Sequence, residues 1–311
     1  MNYMMNKIVA VQGNHPSKLN PVTDTSVFLA HEIQNRKYKI FYYDPKNLSV
    51  INSKVIAKGF FIEFDYNKKK FFKILRKQNL DLALCKYILI RQDPPFNLEY
   101  ISATYILDTI KNKVKIINNP TSIRNVSEKL FSIKYLRYMP NTIFTQNINE
   151  IKKFFKTNKK VILKPIHSYS GNDIHLLNKF NLKLIKKFIK RHNYIMCQKY
   201  LPRIINGDKR VFLINGKISG AISRVPKKGS FLSNISKGAK AVNTQLTKLE
   251  KKICKLIAKD LKKEQIFFAG IDFIDQKLNG DINVTSPTGL KTLYDLSKIN
   301  LARIFWKELK A

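Results

Sequence analysis

Asp281 and Asn283 stand two apart in the stretch Gly280-Asp281-Ile282-Asn283-Val284-Thr285-Ser286-Pro287-Thr288. Side chains two apart on a strand point to one face, so a carboxylate and a carboxamide could turn oxygens toward one cation. Asp272, in the apolar run Phe267-Phe268-Ala269-Gly270-Ile271-Asp272-Phe273-Ile274, could add a third oxygen from a neighbouring strand. Hard oxygen donors, with most positions left to phosphate and water, suit Mg²⁺ bound to a nucleotide. A lone Asp-x-Asn is equally well explained by a surface turn, so its weight depends on what surrounds it.

The elements that must position these residues fall into two styles. Over the first third, strand-like and helix-like segments alternate. Strands are expected over 7–12, 39–43, 82–91 and 115–118, and helices over 24–36 and 98–112. Such alternation predicts a parallel sheet with helices on its faces. From there the pattern becomes antiparallel. Asn125-Val126-Ser127-Glu128 reads as a capping box opening a helix to about Arg137, and Asn147-Ile148-Asn149-Glu150 as a second. The strand 160–165 leads through the polar loop 167–172 into 173–177, as a hairpin would. A helix near 182–191 and a strand over 194–201 follow. Asn215-Gly216 joins two further apolar runs as a tight hairpin turn. Thr247 and Glu250 cap the next helix, and a last helix is expected over about 295–309.

The 311 residues allow two or three lobes. Apolar runs are strand-length, far short of the roughly 20 residues that span a bilayer, so no membrane association is expected. The N-terminal residues show no signal-peptide pattern. Cys85, Cys197 and Cys254 are widely spaced and read as structural thiols of a reducing, cytoplasmic compartment. The five His show no metal spacing. The net charge of +37 raises nucleic-acid binding as a reading. Only 10 of the 58 basic residues are Arg, however, and the Lys are scattered, as in 68–70, 152–153, 186–187 and 251–252, over predicted helix faces. Specific readers of nucleic acid favour Arg for its fork, so no specific nucleic-acid partner is expected.

Several motifs occur in order: Arg91-Gln92-Asp93-Pro94-Pro95-Phe96, Glu128-Lys129-Leu130-Phe131, Ile162-Leu163-Lys164-Pro165 and Gln198-Lys199-Tyr200-Leu201-Pro202. Gly207-Asp208-Lys209-Arg210-Val211, Arg224-Val225-Pro226 and the Asp281 to Thr288 stretch complete the set. Together they resemble the bacterial glutathione synthetases, which are ATP-grasp ligases, over nearly the whole chain. The resemblance implies an α/β fold with an α+β lid, that is, an ATP-grasp fold preceded by an open α/β N-terminal domain. Its expected boundaries are 1–126, 127–201 for the lid and 202–311 for the lobe with the metal site.

The resemblance also implies roles. Lys129, Lys164, Gly171, Gln198, Tyr200, Leu201 and Asp208 would bind ATP, the two lysines as point charges on phosphates. Arg210 and Arg224 would face the reacting phosphoryl and carboxylate, where cationic donors stabilise developing charge. Asp272, Asp281 and Asn283 would hold Mg²⁺, with Mn²⁺ as a substitute. Arg91, Asn234, Ser286 and Thr288 would take the substrates. The implied reaction joins γ-glutamylcysteine and glycine at the expense of ATP through an acyl phosphate, in a homo-oligomer. Two alternatives stay open at this point: another ATP-grasp carboxylate–amine ligase, and a nucleotide-binding descendant with weakened catalysis. Three departures from the family pattern bear on them. The loop 167–172 keeps only Gly171 of a glycine-rich lid, Asp281 stands where the family usually has Glu, and the substrate lid 227–240 is poorer in Gly and Arg.

Overall fold

The structure is a computed structural model and describes residues 7–168 and 171–311. The N-terminal residues 1–6 lie outside it, as do Tyr169 and Ser170 of the polar loop. Among the described residues the strands form three sheets.

The first sheet begins with β1 (Ile8–Gln12), whose Ile-Val-Ala-Val-Gln sequence is buried throughout. A run apolar on both faces belongs at the middle of a parallel sheet covered on two sides. β1 pairs in parallel with β2 (Lys39–Tyr43) and, on its other edge, with β6 (Tyr87–Ile90), which pairs with β7 (Lys115–Ile117). The alternating pattern therefore gives the parallel core it predicts. Between β2 and β6 the chain makes an antiparallel arm, from β3 (Leu48–Ile51), β4 (Lys54–Phe64) and β5 (Phe72–Asp81). The sequence pattern predicts no strand here and suggests a helix face for Lys68 to Lys70. Those lysines instead sit in the β4–β5 connection. β5 is mostly exposed, with polar residues on both faces, so no alternation marks it. Its conformation is set by ladder bonds to β4, a non-local cause.

The second sheet has the order β10-β9-β11-β8, all antiparallel: β8 (Thr142–Thr145), β9 (Val161–Pro165), β10 (His175–Leu177) and β11 (Ile195–Lys199). Helices Ile148–Asn158 and Leu182–His192 cover one face, each started by an Asn that accepts backbone N–H groups, Asn147 and Asn181. Ile151, Leu163, Ile185 and Cys197 are fully buried between helices and sheet.

The third sheet runs β14-β13-β12-β15-β16, again antiparallel: β12 (Asp208–Ile214), β13 (Lys217–Val225), β14 (Lys240–Asn243), β15 (Phe268–Ile274) and β16 (Lys277–Asn283). Asn215 and Gly216 take φ of 50° and 72°, the two positive values a tight hairpin turn needs. Helix Lys248–Lys263 starts on the expected Thr247–Glu250 capping box and buries Ile253, Ile257 and Leu261 against the sheet.

Three further expectations fail for identifiable reasons. The Asn147–Glu150 box forms only by half: Glu150 N donates to Asn147 Oδ1, but Asn147 N turns to Thr145 Oγ1 and the Glu150 carboxylate to Lys153. Asn125 to Glu128 forms no capping box. Asn125 ends the short helix Pro120–Asn125, the next turns (Leu130–Tyr138) are 3-10, and Glu128 bonds to a distant segment. The last helix is broken at Lys298, whose φ is 61°, into Leu290–Ser297 and Leu301–Glu308. The break lets the second half return to the first sheet. There Trp306 is fully buried and its Nε1 donates to Leu29 O at 2.9 Å, while Tyr87 donates to Leu309 O.

Burial pushes the thiols of Cys85, Cys197 and Cys254 up to about 12, with Asp81 adding to it at Cys85 and Glu250 at Cys254. The thiolate is the nucleophile. All three cysteines should therefore resist alkylation by iodoacetamide in the native protein at pH 8 and react once it is unfolded in denaturant, as mass spectrometry would read. Trp306→Ala should cost about 3–5 kcal/mol of stability in urea titration, the usual range for emptying a large aromatic site.

Candidate active site

The cross-strand register of the third sheet creates the centre of the site. Asp208 on β12 lies opposite Arg224 on β13, and Arg210 on β12 lies opposite Asp272 on β15. Directly opposed side chains on one face approach closely enough to pair. Arg210 grips Asp272 with both Nε (2.8 Å) and Nη2 (2.7 Å). Arg224 grips Asp208 in the same two-pronged way, Nε at 2.8 Å, and its Nη2 reaches Asp272 Oδ2 at 3.1 Å. All four residues are buried. Burial alone would push the Asp272 carboxyl up, but the two guanidiniums overcome it and hold it well below the usual carboxylate range. Burial likewise works against the Arg224 charge, and Asp208 and Asp272 outweigh it, keeping this guanidinium protonated.

Asp281 forms a second node. Lys129 Nζ lies 3.3 Å from Asp281 Oδ1 and donates to Ser168 O, in the polar loop, at 2.9 Å. Lys164 Nζ, from β9, lies 3.7 Å from Asp281 Oδ2 and donates to both Asn279 O and Asn279 Oδ1 at 2.8 Å. Burial depresses the Lys164 ammonium; Asp281 opposes that and Lys129 adds to it. Burial pushes the Asp281 carboxyl up, and the two lysines more than offset this, leaving it below its ordinary value.

These groups face one cavity of 510 Å³ where the second and third sheets meet the N-terminal lobe. Of the residues singled out from the sequence, all but Arg91 line it. Gln198, Tyr200 and Leu201 line it, as do the apolar Ile162, Ile174 and Ile274, side chains of the kind that cover a flat ring. Gly171, at φ 70°, packs so closely on the Asn234 side chain that a Cβ would push that amide aside, and its positive φ favours glycine. Ser286, whose Oγ donates to Gln92 O at 2.8 Å, and Thr288 line the cavity as well.

Arg91 lies behind the wall. Its Nε donates to Ser26 Oγ and its Nη2 to Pro287 O, both at 3.1 Å, while Nη1 is buried with no hydrogen-bond partner. It therefore braces the loop 286–288 from below. Sequence reasoning missed Lys18, Asp24, Asn279 and Ser233, which also line the cavity. Asp93, within the Arg91 motif, lines it too.

Asp272, Asp281 and Asn283 supply two carboxylates and a carboxamide. Asn283 turns its Nδ2 to Gly270 O at 3.2 Å and Asp272 Oδ2 at 3.4 Å. Among the described residues no group of three or more His, Cys, Asp or Glu gathers to hold a metal. This donor set fits a hard cation that draws its remaining ligands from phosphate and water.

Three antiparallel and parallel sheets clasping a cleft of this composition define an ATP-grasp ligase. The fold is similar to that of D-alanyl-alanine synthetase A from Vibrio cholerae, with a TM-score of 0.62, 14% identity, and coverage of 99% of this chain and 100% of that one. Models of the prokaryotic glutathione synthetase N-terminal domain and ATP-grasp domain match residues 8–124 and 128–298. Glutathione synthetase from Mesorhizobium japonicum is 35% identical over 96% of each chain, and that from Buchnera aphidicola subsp. Baizongia pistaciae 36% identical over 94% of this chain and 93% of its own. The chain belongs to the prokaryotic glutathione synthetase family.

Asp272→Asn would leave two buried guanidiniums short of a counter-charge, which costs about 3–5 kcal/mol when one partner of a buried pair is lost. The wild-type carboxyl titrates lower in the folded than in the unfolded state, so its contribution is present above the unfolded pKa of about 3.9 and is lost as pH falls through the folded value. Urea unfolding should show the full deficit of the variant at pH 7 and a shrinking one below about pH 4.

Proposed function

We propose that this ATP-grasp ligase joins γ-glutamylcysteine to glycine and splits ATP to ADP and phosphate. What carries the reading is the buried array of Lys129, Lys164, Arg210 and Arg224 interleaved with buried Asp208 and Asp272 and half-buried Asp281 in one cleft of a chain of this family. Six basic and six acidic side chains line the cavity, so a polyphosphate would enter by taking lysine and arginine donors from their carboxylates, with its own charge offset by Mg²⁺.

A carboxylate does not condense with an amine at neutral pH, because its oxygen leaves poorly. Transfer of the γ-phosphoryl group to the glycyl-accepting carboxylate of γ-glutamylcysteine makes an acyl phosphate and frees ADP. The glycine amine then attacks the acyl carbon, the C–N bond forms, phosphate leaves with the C–O electron pair, and the amine gives up a proton. Phosphoryl transfer of this kind is governed by positioning and charge stabilisation. Lys129 and Lys164 would exchange their contacts with Asp281 and backbone carbonyls for phosphate oxygens. Arg210 and Arg224 would stabilise charge on the transferring group and then on the tetrahedral oxyanion. Gln198, Tyr200 and Leu201 would hold the base, with Asp208 beside the nucleotide and Gly171 at the loop over it. Asn234, Ser286 and Thr288 would offer polar donors to the acid substrate, and Arg91 would act on it through Pro287. Asp272, Asp281 and Asn283 would hold Mg²⁺, which when bound offsets the charge of the phosphates. Three buried, unpaired cysteines are in keeping with a reducing, cytoplasmic setting.

Purified protein given ATP, Mg²⁺, γ-glutamylcysteine and glycine should release phosphate in step with peptide formation. No release above the glycine-free control would overturn the assignment, and activity only with other acids or amines would reassign the substrate. Lys164→Met should loosen nucleotide binding by about 1.5–3 kcal/mol, the value of a hydrogen bond to a charged group, as calorimetry with ADP and Mg²⁺ would measure.

A further inference from the structure

Val284 follows Asn283 at the point where β16 ends, and the chain then runs on through Thr285, Ser286 and Thr288 along the cavity. Beyond the strand its backbone groups have no ladder partner, yet Val284 and Thr285 are buried, so their N–H groups must find acceptors elsewhere. One carboxylate oxygen takes both. Glu128 Oε1 accepts from Val284 N at 2.9 Å, from Thr285 N at 3.1 Å and from Thr285 Oγ1 at 2.8 Å. Its backbone carbonyl accepts from Ile282 N at 3.0 Å. On the opposite side Val284 O accepts from Asn118 Nδ2 at 2.7 Å. Glu128 is also joined by one peptide bond to Lys129, whose ammonium holds Ser168 O and faces Asp281. Among the described residues no Lys, Arg or His pairs with Glu128; its charge is met by these N–H and O–H dipoles.

We propose that Glu128 is a positioning residue that locks the segment 282–288 to Lys129, so that the phosphate grip and the substrate loop stand in register. The inference rests on the glutathione-synthesis reading and extends it to a residue whose sequence context, Asn-x-x-Glu, points to a helix cap. The cap is absent, and the carboxylate spends one oxygen on the substrate loop. A small misplacement of that loop relative to the phosphate clamp lowers the chance of an in-line encounter. The nucleotide is also held by Lys164, Gln198 and Leu201, none of which, among the described residues, hydrogen-bonds to Glu128, so its affinity should fall much less than that of γ-glutamylcysteine.

The test compares Glu128→Ala, Glu128→Asp and Glu128→Gln in the full chain. Gln keeps an acceptor oxygen at the same reach, Asp draws it back by one methylene, and Ala removes it. Steady-state rates give kcat and KM for γ-glutamylcysteine, and calorimetry gives the Kd of ADP with Mg²⁺. Ala and Asp should raise KM for γ-glutamylcysteine about tenfold or more while the ADP Kd stays within about threefold, and Gln should recover most of the loss. Equal loosening of ADP and γ-glutamylcysteine, or an unchanged KM in Ala or Asp, overturns the proposal. Should Ala fail to fold, the contrast between Asp and Gln carries the same decision. Wild-type protein that releases no phosphate with these substrates refutes the functional reading and takes this inference with it, whereas an active wild type with indifferent variants refutes the inference alone.

Discussion

The cross-strand pairing of Arg210 with Asp272 and of Arg224 with Asp208 is the interaction on which the rest depends. Four ionised groups are buried within one antiparallel sheet, where isolated charges would be expelled or neutralised. They persist because strand register sets each cation opposite a carboxylate and because the guanidinium fork satisfies two oxygens at once. Asp272 ties the two pairs into one network by taking Arg224 as well. The sheet thereby holds concentrated charge in place before any ligand arrives, the condition under which charge stabilises a reacting phosphoryl group at little reorganisation cost.

A site preorganised in this way must still admit its ligand. Here the answer lies in the weaker contacts of the second node. Asp281 faces Lys129 and Lys164 at 3.3 and 3.7 Å, longer than the pairs in the sheet, and both lysines lean on carbonyl oxygens. In the proposed reaction those contacts would be exchanged for phosphate oxygens while the arginine network stays in place, a division of labour suited to the flexible ammonium and the forked guanidinium.

Much of the fold was legible. The buried Ile-Val-Ala-Val run, the Asn215-Gly216 turn and the Thr247–Glu250 box each act through neighbours in the chain, and each forms as its sequence suggests. Three of the failures share a cause. β5 is a strand because β4 lies beside it, the terminal helix breaks at Lys298 so that Trp306 can reach Leu29, and Glu128 turns from the local helix start to residues more than 150 positions away. In each case a long-range contact outbids a local preference.

The sequence by itself determined which chemical groups are available: the ordered motifs, the oxygen donors spaced two apart and the scarce arginines carried enough pattern to place the chain among the ATP-grasp ligases. Strand periodicity even put Asp281 and Asn283 on one face. Only the tertiary structure decided who meets whom. Which carboxylate faces which guanidinium follows from register between strands, Arg91 was found behind the cavity wall, and Glu128 became a brace for the substrate loop. Side-chain chemistry is written residue by residue, whereas proximity between distant residues is a property of the packed chain, settled by the burial of whole elements against one another.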